Sequence, residues 1–290
     1  MSKSGTLKKA AIVGAALIAP FAALPASGAH AATAAAAGTC ANGQGYVLST
    51  ASGTATAYGN ADFHGSQAAL NKPVVGLALT PTGDGYWQVA SDGGVFAFGD
   101  AGFFGSLGGT RLNKPIVGIA ATPTGAGYWL VASDGGVFAF GDADFFGSAG
   151  GITLNKPVVG IAATNSGDGY WIVASDGGIF SYGDAAFLGS AGSLQLNKPV
   201  VGIATNRRSS GYWLVASDGG VFTYGSAAFY GSAGSLALNK PVIGIANTFA
   251  GEGYWLAAAD GGIFSYGDAG FCGSSGSTGS SSTVTAITPF

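Results

Sequence analysis

The chain has 290 residues, 48% hydrophobic and only 9% charged, with 53 Gly, 18 Phe, 11 Tyr and 5 Trp. Setting Lys3, Lys8 and Lys9 aside leaves 8 of the 11 Lys and Arg against 14 Asp and Glu, a formal charge of −6, which excludes nucleic acid as a partner because no basic footprint remains to neutralise phosphates. The aromatic content excludes a disordered glycine-rich tract, since there is ample apolar material for a core.

The first element is a leader. Lys3, Lys8 and Lys9 form a basic start, "AAIVGAALIAPFAAL" is an apolar stretch, and Ala29-His30-Ala31 offers a small-x-small cleavage site, so residues 1–31 read as a secretory signal peptide. The apolar stretch is shorter than the roughly 20 residues of a membrane span and Pro20 breaks it; no later stretch resembles a span, because Gly interrupts each one. The mature protein is therefore expected outside the cell. Residues 32–44 form a lead-in that holds Cys40, preceded by Ala37-Gly38-Thr39 rather than a lipid-attachment motif.

A hairpin-like stretch follows at Gly45, "GYVLSTASGTATAYGNADFHGS", and it is a degenerate copy of what comes next. Trp87, Trp129, Trp171, Trp213 and Trp255 stand 42 residues apart, and Pro73, Pro115, Pro157, Pro199 and Pro241 of the "NKP" links keep the same step. Within a unit, "KPVVGIAAT", "GYWLVAS" and "GVFAFG" read as strands and "FFGS" as a short fourth, separated by turn-forming Gly, Asp, Asn and Pro. The strands are continuously apolar, so both faces of each small sheet must be covered. Sheets stacked face to face around an axis meet that demand, and a unit of about 40 to 45 residues is the size of a propeller blade.

The last residues, "TVTAITPF", stay in register: Val284 lies 42 after Val242, and Ile287 lies 42 after Ile245. They supply a first strand without a second, whereas the Gly45 hairpin has a second strand without a first. The sequence thus predicts an all-β, six-bladed β-propeller of 42-residue blades over residues 45–290, closed by the C-terminal strand completing the first blade, rather than an open solenoid with polar caps. First and last blades become neighbours, so a Cys40–Cys272 disulfide is expected in an exported chain, provided the Cα atoms come within about 7 Å.

Each repeated residue has a structural reading and a functional one. Tyr86/Trp87 and their copies are read first as packing between blades, with Trp87, Trp129, Trp171, Trp213 and Trp255 kept as candidates for stacking on a sugar. Asp92, Asp134, Asp176, Asp218 and Asp260 of "SDGG" fit a two-residue Asp-Gly hairpin turn; one carboxylate per turn is poor support for calcium. Asp100, Asp142, Asp184 and Asp268 mark the turn after the third strand, with Asn60 and Ser226 in the other copies. The best repeated ligand-binding candidates are Asn71, Asn113, Asn155, Asn197 and Asn239 with Lys72, Lys114, Lys156, Lys198 and Lys240. These amide and ammonium donors suit a hydroxyl-rich or anionic ligand, and the links holding them emerge on one face. The other face carries the variable loops, including Arg207 and Arg208.

Catalysis has little support. Beyond the leader the sole histidine, His64, occupies the slot of Phe104; there is no His or Cys cluster for zinc, no nucleophile elbow and no P-loop, so no metal and no cofactor is expected.

The pattern "VVGIA…GYWLVASDGGVFAFGDA.FFGS" resembles a tandem repeat of secreted actinobacterial proteins, some of them joined to cell-wall hydrolases. More distantly it is similar to blades of the regulator of chromosome condensation superfamily, which has secreted enzyme-inhibiting members. Here Tyr replaces the usual His before the second strand, so no binding residue transfers. The resemblance implies a propeller and a binding role outside the cell. The sequence points to a secreted, monomeric, non-catalytic module for cell-wall or other extracellular polysaccharide; a propeller that binds an extracellular protein, such as an enzyme inhibitor, and a hydrolase with a central carboxylate site are the alternatives.

Overall fold

The computed structural model describes residues 40, 43–276 and 282–290; the signal peptide expected over residues 1–31 and most of the lead-in lie outside them. Among the described residues there are eighteen strands and no α-helix. They sort into six antiparallel three-stranded sheets. In the third blade the inner strand is Ile116–Ala121, the middle strand Gly127–Ala132 and the outer strand Val137–Gly141. Trp129 pairs with Ala120 on one side and Ala139 on the other. Each middle strand of the five full copies is buried from end to end, which is why its sequence does not alternate: both faces meet a neighbouring blade.

Inner strands touch their neighbours all round, and Val284–Pro289 touches both Val74–Leu79 and Val242–Asn247. The chain's last strand also pairs with Gly45–Thr50, placing Ile287 opposite Leu48 and Pro289 opposite Tyr46. It thereby supplies the first blade's inner strand. Cys40 and Cys272 are joined there, their Cα atoms 5.0 Å apart. In the second blade's inner strand the space is too small for a side chain: a Cβ on Gly76 would lie 2.8 Å from Val89 Cγ1 and 3.1 Å from Ile119 Cγ2.

Two local expectations are corrected. The "FFGS" segments form no fourth strand, because side chains satisfy their backbone. The Trp129 indole N–H donates to the Asp144 carbonyl at 2.7 Å. From the next blade, the Tyr170 hydroxyl donates to the Gly147 carbonyl at 2.6 Å and accepts the Phe146 N–H at 3.3 Å. A ladder partner is not needed. The "SDGG" turn is also longer than a two-residue hairpin: Gly93 N–H closes on the Ala90 carbonyl at 2.8 Å, and in this turn only Gly93, at φ +83°, is left-handed. This is the three-residue arrangement in which a left-handed glycine follows the turn, and Asp92 caps it by accepting the Gly94 N–H at 3.1 Å.

Across five of the six seams a Trp ring meets the Tyr of the next blade at 5.4–5.7 Å between centroids. The sixth seam differs. Val47 occupies the Trp slot of the first blade, and Gln88 of the second donates to Ser49 Oγ at 2.9 Å and to the Gly53 carbonyl at 3.1 Å. His64 packs there on Tyr86 at 5.8 Å, its Nε2 buried without a hydrogen-bond partner among the described residues.

Burial pushes the phenols of Tyr46, Tyr86, Tyr128, Tyr170, Tyr212 and Tyr254 up, that of Tyr170 to about 12. A raised folded pKa means that the native state holds its proton longer than the unfolded chain, so stability falls as pH climbs from about 10 through 12. Tyrosinate absorbance is expected to show these six rings ionising only with alkaline unfolding; ordinary titration near 10 in a folded protein would contradict their burial. Cys272→Ser is expected to lose about 2–5 kcal/mol of stability and to abolish the sensitivity of thermal unfolding to reductant; unchanged denaturation with and without reductant would show that the bridge does not secure the closure.

Candidate functional site

The two faces of the ring are built from different parts of the unit. On one face lie the loops between inner and middle strands together with the turns after the outer strands, joined by bonds such as Asp100 N–H to the Asp84 carbonyl at 3.0 Å. On the other, Ser91 N–H bonds the Pro73 carbonyl and Ile116 N–H the Ser91 carbonyl, both at 2.9 Å, bringing the SDGG turns beside the NKP links.

The five Trp candidates leave the ligand set. Each is 0% exposed, and each indole N–H is consumed by a backbone carbonyl 15 residues on, so no ring face is available to a sugar. The carboxylates Asp100, Asp142 and Asp184 are likewise occupied. Thr80 and Thr82 donate to the two oxygens of Asp100 at 2.9 and 2.6 Å, and Thr164 and Ser166 do the same to Asp184 at 2.9 and 2.6 Å. The Thr82 hydroxyl, foremost, holds the Asp100 carboxyl below its usual range. A Cβ on Gly85 would lie 2.5 Å from both Asp100 Oδ1 and the Phe98 carbonyl oxygen, and the middle-strand Gly45 and Gly211, which face no carboxylate, meet outer-strand backbone in the same way. The carboxylates clip each loop to its own blade.

Asn71, Asn113, Asn155, Asn197, Asn239 and the Lys that follows each are exposed, and no hydrogen bond or ion pair engages their side chains among the described residues. The structure brings Asn113, Asn197, Asn239, Lys114, Lys156, Lys198 and Lys240 to crevices. One, of about 270 Å³, is lined by Asn113, Lys114, Asp134, Phe138, Phe145 and Ser148 among others. Three blades on, a crevice of about 490 Å³ is lined by the equivalent Asn239, Lys240, Asp260, Phe264 and Ser274. On the other side of the SDGG turns, Asp176 and Asp218 line crevices with the Asn-Lys pair of the following link.

Phe145 was not among the residues singled out from sequence. It belongs to a set of six, Phe63, Phe103, Phe145, Phe187, Phe229 and Phe271, all between 46% and 64% exposed. The signal is in the repeat: the first residue of each pair is Phe in every copy, whereas the second, which packs inward, varies as His64, Phe104, Phe146, Leu188, Tyr230 and Cys272. Even the first blade, without Trp or SDGG, keeps its outward Phe.

No family model matches the chain, and no curated protein matches it. Solved structures do. The β-propeller domain of Cps50 (Swd1) from Myceliophteria thermophila aligns at a TM-score of 0.53 with 10% identity, over 81% of this chain and 83% of that one. A chain of a nidogen/laminin complex aligns at 0.58 with 12% identity, over 85% and 98%. The chain has a β-propeller fold. Its blades number six, as many as its sheets, and such likeness at this identity carries the fold alone.

Because the Asp142 carboxylate accepts hydroxyl bonds from Thr122 and Thr124, Asp142→Ala is expected to cost about 1 kcal/mol, a fall of about 2–4 °C in Tm, while leaving ligand binding at the opposite face unchanged. A loss of binding with intact Tm would make the clip a ligand site instead.

Proposed function

We propose that this protein is an exported, non-catalytic module that holds an extracellular or cell-wall polysaccharide at crevices repeated between its NKP links and SDGG turns. One observation carries this: an exposed, unpartnered amide and ammonium recur beside a turn carboxylate and an aromatic floor at equivalent positions three blades apart. Asn113 and Asp134 offer donors and acceptors to sugar hydroxyls, and Phe145 and Phe138 offer apolar surface to the C–H face of a pyranose. A crevice of this size holds a sugar unit or two, so each contact is weak. Several on one rigid ring bind a repeating polymer by avidity. The disulfide at the closure suits an oxidising compartment, and no helix among the described residues is long and apolar enough to cross a membrane.

Titration calorimetry with soluble wall-glycan fragments, chosen by an array screen, is expected to give about five weak sites per chain. Phe145→Ala and Asn113→Ala are expected to remove one of these while the Tm holds. Absence of heat with every glycan tested, or a single site indifferent to both substitutions, would overturn the polysaccharide reading; a one-to-one complex with a secreted protein would favour a protein-binding face instead.

A further inference from the structure

The crevices lie on one face; the opposite face holds a different cavity. The mouth of the central channel encloses about 690 Å³, within the range of small-molecule sites. Its wall is apolar, with Leu77, Ile119, Ile203 and Ile245 below and Leu79, Ala121 and Ala163 higher up. At the lip stand Asn165, Arg207 and Phe249.

The fifth blade departs from the repeat at this lip. Five of the 14 acidic residues sit in SDGG turns; the other nine sit in the inner-to-middle loops, in the turns after the outer strands or just past them, which gives this face a strongly acidic character. In the fourth blade the two positions that matter are Asp168 and Asp184. In the fifth they are Ser210 and Ser226, and the loop gains Arg207 and Arg208, so the local charge goes from −2 to +2. The clip is rebuilt without a carboxylate: Asn206 Nδ2 donates to Ser226 Oγ at 2.8 Å, and Ser210 Oγ lies 2.6 Å from it.

This loop is also strained and braced. Where the other full blades use left-handed Gly83, Gly125, Gly167 and Gly251, the fifth has Ser209 at φ +52°, and among the described residues no other non-glycine has positive φ. Non-glycine residues in that region persist where surroundings over-determine them, often at binding sites. Ser209 Oγ accepts the Asn165 N–H at 2.8 Å, tying the loop to the fourth blade. On its other side the Arg207 guanidinium lies over the Phe249 ring, 4.4 Å from its centroid, and Phe249 is 72% exposed. Among the described residues Arg207 and Arg208 have no ion pair, Glu252 in the Phe249 loop included. A cation is thus held in position from both neighbouring blades, above an apolar chamber, with no ion-pair partner among the described residues.

We infer that the channel mouth is a second binding site, for one small ligand with an apolar body and an anionic head: the body enters the channel among Leu77, Ile119 and Ile245, and a carboxylate, sulfonate or similar group meets Arg207. Guanidinium recognises planar anions through paired N–H donors, and stacking on Phe249 holds the fork in place.

The test is fluorescence titration of the full chain with anilinonaphthalene sulfonate, followed by displacement with decanoate. One saturable site per chain is expected, weakened roughly tenfold or more by Arg207→Ala and lost in Ala163→Trp, which fills the channel at a slot where the second blade already carries Leu79. Asn155→Ala, on the crevice face, is expected to change nothing, which separates this site from the polysaccharide one. Thermal unfolding of each variant confirms the fold. No fluorescence enhancement, enhancement equal in all variants, or binding lost with Arg207→Ala but retained in Ala163→Trp would each overturn a site inside the channel.

Discussion

The ring depends on one buried contact repeated at five of its six seams: the middle-strand Tyr and Trp, packed ring on ring and hydrogen-bonded to backbone that has no ladder partner. Trp129 satisfies the Asp144 carbonyl in its own blade, and Tyr170 satisfies Gly147 and Phe146 from the blade beyond. Buried polar groups left unmade are costly. Two side chains therefore fasten the outer segment to its own blade and to the next at once. The same duty takes the Trp rings out of contention as ligand platforms.

Repetition and departure from it carry different information. Six blades present equivalent environments, so a buried position is expected to repeat, and Tyr and Trp do. Exposed positions have no packing reason to repeat, yet the Asn-Lys pair and the outward Phe recur along the sequence, and Asn113, Lys114 and Phe145 line one crevice. Conversely, a loop whose scaffold is equivalent in every blade has no packing reason to reverse its charge, as the fifth does at Arg207 and Arg208. A shared crevice on one face and a single asymmetric mouth on the other suit a polymer and a small ligand respectively. The first blade, made from both ends of the chain, is the exception in the core: Val47 and Gln88 replace Trp and an aliphatic residue there, and the Cys40–Cys272 bridge reinforces the seam on its other side.

Much of this was legible before any coordinates. The spacing of Trp87 to Trp255 set the unit, and the register of Val284 and Ile287 predicted which strand completes the first blade, because a 42-residue step is carried by residue identity alone. The proximity of Cys40 and Cys272 followed from that topology. A fourth strand is not decided by the sequence, because an extended, aromatic segment has the same composition whether a neighbouring strand or a neighbouring side chain satisfies its backbone. The length of the SDGG turn is open for a similar reason, since Asp-Gly is compatible with more than one loop length, and the Gly93 hydrogen bond and its φ decide between them.

By itself the sequence determined the all-β class, the three main strands of each unit, the number of blades and the strand that completes the first one, all of which follow from periodicity and apolar runs. Tertiary structure alone decided which repeated residues face solvent and which residues share a cavity. Phe145 and Phe146 are adjacent and chemically identical, yet one lines a crevice and the other packs against Tyr170, because alternate side chains of an extended segment point to opposite sides. Asn113, Asp134 and Phe145, or Arg207 and Phe249, come from separate loops, and only the stacking of blades brings them together.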